Sequence, residues 1–291
     1  MIALTAYFNP QRHPRNLNNY LRFADSLARQ RVTLLTAELC FDDDEPEVPE
    51  PLLRARGSRR WNLMFQKEPL LRELIRHLPG GHHEGVAWFD CDVLLLNDDW
   101  ARMADDLLSH FEAVQLFSEA HFLDRGNCLQ HKRASAAAAF RDSNPLFDNY
   151  TACHPGLAWA ARADLLREHG LYDGMISGSN DTVMFRAFTR SASLQLAHRA
   201  SHEWQEHANA WCKPVTQRVN GKVGCVSGAA VHLYHGPMDN RRYAERWDAL
   251  REYVPARDVA RQPDGLLQWS AVADDSLRAR VGGFIGSSRT G

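Results

Sequence analysis

The chain has 291 residues, with 34 Lys+Arg against 36 Asp+Glu and a formal net charge of -2. That length suits one large α/β domain or two small ones, and the balanced charge argues against a general polyanion or membrane-surface binder. Six scattered cysteines (Cys40, Cys91, Cys128, Cys153, Cys212, Cys225) with no C-x-x-C pair argue against a zinc knuckle or a disulfide framework, which points to a reducing, cytoplasmic setting.

In chain order, IALTAYF reads as a strand ending at Asn9-Pro10, not as a targeting segment. The next stretch places Leu17, Tyr20, Leu21, Ala24 and Leu27 at helical spacing, and VTLLTAEL is a second apolar run. Strand, helix and strand at this spacing predict a βαβ unit and a parallel sheet. FDDDEPEVPEP predicts a solvated acidic loop, and RRWNLMFQKEPLLRELIRHLP a helix interrupted at Pro69 and ended by Pro79. VAWFDCDVLLL reads as one continuous buried central strand. A helix and a strand follow over residues 99–117, and residues 118–150 read as a mobile, weakly periodic excursion that closes over a ligand. A strand over 156–160 leads into a helix ending at Gly170, ISGSNDTVMFRAF turns into a helix, and AAVHLYHG is a strand with a His-Gly turn before a last helix. The tail SLRARVGGFIG either docks as a closing element or frays. The organisation expected is one domain over residues 1–250 and an extension over 251–291, with no apolar run long enough to span a bilayer.

The chemistry concentrates in the D-x-D of VAWFDCDVLLL. On a single strand, Asp90 and Asp92 would share one side. At the carboxyl end of a parallel strand, where open sheets bind ligands, two carboxylates make a hard oxygen site for Mg²⁺ or Mn²⁺ and a diphosphate. D-x-D alone is equally a strand-end cap.

VAWFDCDVLLL resembles the D-x-D strand of GT-A-fold nucleotide-sugar glycosyltransferases, of bacterial and phage type with a Q-K-E helix (Gln66, Lys67, Glu68) before D-C-D. HPGLAWAARADLLREHGLYDG resembles the segment of that family that approaches the donor sugar, GSND at 178–181 its acidic helix start, and HLYHG at 232–236 its late metal-binding histidine. The resemblance implies a GT-A, Rossmann-like, mostly parallel sheet flanked by helices. It implies a metal-dependent transfer of a sugar from a UDP-type donor to an acceptor hydroxyl, inverting if Asp181 is the base.

The resemblance further implies Asp90, Asp92 and His235 as metal ligands for Mn²⁺ or Mg²⁺. His232 and His235 are three apart, so on a strand they would face opposite sides, and His232 reads as a structural histidine. Donor contacts are expected from Tyr7, Asn9, Arg59, Lys67, Asp90, Gly156 and Trp159, with Phe8 and Arg60 as lesser candidates. The residue-level alternatives are core packing for Tyr7 and Trp159, solvated charge for Arg59 and Lys67, and an N-cap for Asp181. His198, His202 and His207 read as a solvated face rather than a zinc site. Rival functions are a sugar nucleotidyltransferase, disfavoured because AYFNPQRHPRN has no glycine-rich loop, and a non-catalytic carbohydrate or metal module. The acceptor (glycan, small molecule, protein or hydroxymethylated DNA base) stays open.

Overall fold

A computed structural model describes residues 1–78, 85–144, 147, 152–190, 199–237 and 243–287. The chain opens with β1 (Ile2–Phe8), α1 (Pro14–Arg29), β2 (Thr33–Phe41), β3 (Leu53–Gly57), α2 (Arg59–Asn62) and α3 (Lys67–Arg76). It continues through β4 (Gly85–Phe89), β5 (Val93–Leu95), α4 (Trp100–Leu108), β6 (Ala113–Gln115), β7 (Glu119–Leu123), β8 (Leu129–Ser135) and α5 (Ala136–Arg141). Then come β9 (Cys153–His154), β10 (Ala158–Arg162), α6 (Ala163–His169), α7 (Asn180–Phe188), α8 (His202–Val219), β11 (Val223–Cys225) and β12 (Ala229–His232). The last elements are α9 (Tyr243–Asp248), α10 (Pro255–Asp258), β13 (Val259–Arg261), β14 (Leu267–Trp269) and α11 (Asp275–Ser287). Among the described residues no helix is long and apolar enough to cross a membrane.

The architecture is α/β, as expected. The main sheet has the order β11-β6-β10-β4-β1-β2-β3. Every pairing in it is parallel except those of β10, which runs antiparallel to both β4 and β6. Strand residues alternate between two cores because side chains alternate across a strand. In β1, Ile2, Leu4, Ala6 and Phe8 join one cluster while Ala3 and Tyr7 join the other. Helices cover both faces, which is why β1 and β4 read as unbroken apolar runs.

The run VAWFDCDVLLL is not one strand. It is β4, in the main sheet, and β5, in a second sheet of order β5-β12-β7-β8-β9. Residues 90–92 are the turn between the two sheets, so the same-side argument for Asp90 and Asp92 does not hold. The expected excursion, over its described part 118–144, is built into that second sheet as the β7–β8 hairpin followed by α5. Pro69 does not interrupt a helix. It is the third residue of α3, where its missing N–H has no intrahelical acceptor to lose; the break falls at 63–66 instead.

The tail docks. Leu266, Trp269, Leu277, Val281 and Phe284 belong to the same buried cluster as α3 and α7. The wholly buried Gln66 fastens it: its Nε2 donates to the Leu267 carbonyl (2.7 Å) and its Oε1 accepts from the Leu267 N–H (3.0 Å). An amide side chain here completes backbone pairing that no neighbouring strand supplies. Gln66→Leu leaves that N–H without its acceptor and should lower stability by about 1–3 kcal/mol in chemical denaturation. Val272→Ala, at a side chain 71% exposed, should stay within about 0.5 kcal/mol of wild type.

Candidate active site at the carboxyl edge of the sheet

The pairing Phe89↔Ala158 sets the end of β4 beside the start of β10, so residues 90–92 and 154–157 meet at one edge. The Asp90 N–H donates to the Leu157 carbonyl (2.8 Å). Leu157 (φ 76°) and Ser179 (φ 81°) hold left-handed backbone without being glycine. Such residues cost of order 1–3 kcal/mol each and cluster at functional sites; they flank Gly156 and Asp181. At Gly156 a Cβ would lie 2.7 Å from Asp181 Oδ2, so only glycine admits that carboxylate.

Two groups form around the turn. In the first, β12 pairs with β5 so that His232 lies opposite Val93, and the Leu233 N–H donates to the Asp92 carbonyl (2.9 Å). The strand ends at His232 and the chain turns towards Gly236 (φ 142°). This removes the premise that the two histidines face apart. His235 Nε2 is 3.3 Å and His232 Nε2 3.8 Å from the Asp92 carboxylate, and one ligand atom from each of the three lies within 4.8 Å of the others. His232, expected to be structural, is thus part of the cluster. Phe122 backs it, 5.3 Å from the His232 ring, and is itself stacked on His131 at 4.5 Å.

In the second group, Asp90 meets Lys67, whose Nζ lies 2.8 Å from Asp90 Oδ1, 3.3 Å from Asp181 Oδ1 and 3.2 Å from Glu68 Oε1. Glu68 is wholly buried and accepts from Asn180 Nδ2 at 2.7 Å. Burial pushes the Glu68 carboxyl up to about 8, against the opposing pull of Lys67. Burial raises Asp181 too, with Lys67 again opposing and Asp90 adding to the rise. Burial alone would lower the Lys67 ammonium, but Asp181, Asp90 and Glu68 together hold it well above its ordinary value. Asp181 is not an N-cap. It is the second residue of α7, with Ser179 in the cap position and Asn180 spending its amide on Met175 and Glu68.

The remaining expected donor contacts are engaged within the protein. Trp159 is 2% exposed, stacked on Trp88 and donating from Nε1 to the Pro155 carbonyl (2.8 Å), so its ring is core and not a platform for a sugar. Tyr7 is equally buried; its hydroxyl and the Asn9 amide both donate to Glu47 at 3.0 Å. The acidic loop is therefore not simply solvated. Burial first, then Glu47, raises the Tyr7 phenol far above its ordinary value. Arg59 pairs with Asp42 (2.9 Å) and Asp44 in that loop, and Arg60 lies over Trp61. His202 pairs with Glu206 at the surface and His207 packs on Tyr172; His198 lies outside the described residues.

No protein-family model matches the chain, and no curated protein is similar to it. Among solved structures, a protein of Desulfovibrio desulfuricans G20, described provisionally as a nucleotide-diphospho-sugar transferase, aligns over 79% of this chain and 80% of its own. The identity is 11% and the TM-score 0.36. A likeness that remote carries no chemistry.

Two outcomes follow from the geometry. A divalent cation held by Asp92, His232 and His235 would bind at least about tenfold more weakly in His232→Ala and in His235→Ala, read by calorimetry, since even groups one layer behind a ligand cost about 10–100-fold. Glu68 binds its proton more tightly folded than unfolded, so its contribution to stability is full below pH 4.5 and is lost as pH rises to about 8. Glu68→Gln keeps an acceptor for Asn180 and should flatten that decline, read as the difference between the two proteins' denaturation midpoints across pH 5–8.

Proposed function

We propose that this chain is a metal-dependent glycosyltransferase that moves a sugar from a nucleotide-diphosphate donor, of uridine type, to an acceptor hydroxyl. The observation that carries it is the divided D-x-D turn. Asp92 meets two imidazoles, while Asp90 meets a buried lysine shared with Asp181. Both groups sit at the carboxyl edge of the sheet, where open α/β sheets take their ligands. GT-A-like placement of the D-C-D turn at the end of β4 is part of the same reading.

Asp92, His232 and His235 would hold the metal. One carboxylate and two imidazoles form a mixed oxygen and nitrogen set, which fits Mn²⁺ better than Mg²⁺ with its preference for oxygen alone. The ion would supply charge neutralisation of the departing diphosphate. The rest is the protein's own work. Asp181 accepts the proton of the acceptor hydroxyl, and its burial makes it a stronger base than a solvated aspartate. Gly156, where a Cβ would lie 2.7 Å from Asp181 Oδ2, lets that carboxylate lie against the backbone at the entry to β10. One displacement assisted by a single base inverts the anomeric centre.

Screening nucleotide sugars for Mn²⁺-dependent cleavage tests the reading without a known acceptor. Turnover should vanish in excess chelator and in Asp92→Asn; full activity under either condition overturns it. Asp181→Asn should cut transfer by roughly a hundredfold or more while donor affinity holds. A wild-type rate in that variant removes Asp181 from the chemistry.

A further inference from the structure

We infer that Lys67 is a positioning residue that acts through Asp181, and not a contact to the donor's diphosphate. The inference rests on the proposed role of Asp181 as base. An ammonium has three N–H donors, and the Lys67 Nζ lies within 3.3 Å of three different carboxylates, those of Asp90, Glu68 and Asp181. Its side chain is only 9% exposed. A phosphate approaching it would meet three like-charged or acidic groups before the cation, and would strand them if it drew the ammonium away.

The neighbouring residues show what the lysine is fixed to. Gln66 is fastened to the backbone of Leu267, and Glu68 accepts from Asn180, whose Oδ1 in turn accepts from the Met175 N–H at 2.9 Å. Lys67 and Glu68, adjacent at the start of α3, therefore grip Asp181 and Asn180, adjacent at the start of α7. This two-point clamp sets the position of the Asp181 carboxylate relative to the D-x-D turn. Without the ammonium, Asp90 and Asp181 repel and the first turn of α7 loses one of its two holds. Lys67 orients the base through its carboxylate oxygens and contacts neither donor nor acceptor.

The test is a double-mutant cycle on Lys67→Met and Asp181→Asn, with UDP and Mn²⁺ as the binding probe. Lys67→Met should bind UDP as wild type does, within a factor of about two, the usual error of additivity for independent sites. Its kcat should fall by roughly a hundredfold, and the double variant should be no slower than Asp181→Asn alone. A tenfold or greater loss of UDP affinity makes Lys67 a phosphate contact and overturns the inference, as do losses in kcat that multiply. If Lys67→Met does not fold, the double variant, which removes one charge of each sign, still gives the comparison with Asp181→Asn. Wild-type protein that neither binds UDP nor cleaves any nucleotide sugar refutes the proposed function instead. The clamp is then read by hydrogen exchange over residues 175–183, faster in Lys67→Met if it holds and unchanged if the inference is wrong.

Discussion

A lysine ammonium enclosed by carboxylates is the constraint around which this site is built. Removing either sign from such a cluster leaves an uncompensated buried charge, a penalty of several kcal/mol. The helix bearing Lys67, the turn bearing Asp90 and the helix bearing Asp181 must therefore arrive together or not at all. The glycine at 156 and the left-handed backbone at Leu157 and Ser179 are the local concessions that let them do so. Local strain is tolerated because the ion cluster and the two cores around it determine the geometry.

The second organising feature is the passage of the chain from one sheet to another within three residues. Because β4 and β5 belong to different sheets, the two aspartates of D-C-D are sent to different neighbours. One faces a cation built into the protein. The other faces a pair of imidazoles suited to a cation from solution. A single straight strand would have given both carboxylates to the same partner.

Much of the frame could be read from residue patterns. The first strand and β4 read as apolar runs, the first helix carries helical periodicity, and the D-x-D falls in the turn at the carboxyl end of β4. What could not be read is pairing. An apolar run such as VAWFDCDVLLL looks the same whether it stays in one sheet or crosses between two. LRARG in the edge strand β3 and LQHKRAS in β8 alternate with exposed or half-exposed residues, so neither forms an apolar run. The convergence of His232 with His235 depends on where β12 stops, which no local signal marks. Trp159 and Tyr7 were ambiguous for a related reason: burial of an aromatic is decided by what packs over it, and those neighbours come from α7 and from Glu47.

The Gln66–Leu267 clasp joins residues 201 positions apart in the chain. Contacts of such separation form late, because a long loop must close before they repay its entropy. During vectorial synthesis, residues 62–68 would wait, with their amide and charged groups still hydrated, until residue 267 has left the ribosome. The clamp on Asp181 is then among the last things to tighten. An unfinished chain would lack the acceptor and donor that Leu267 offers Gln66, so this edge of the fold closes only when the last tenth of the chain has docked.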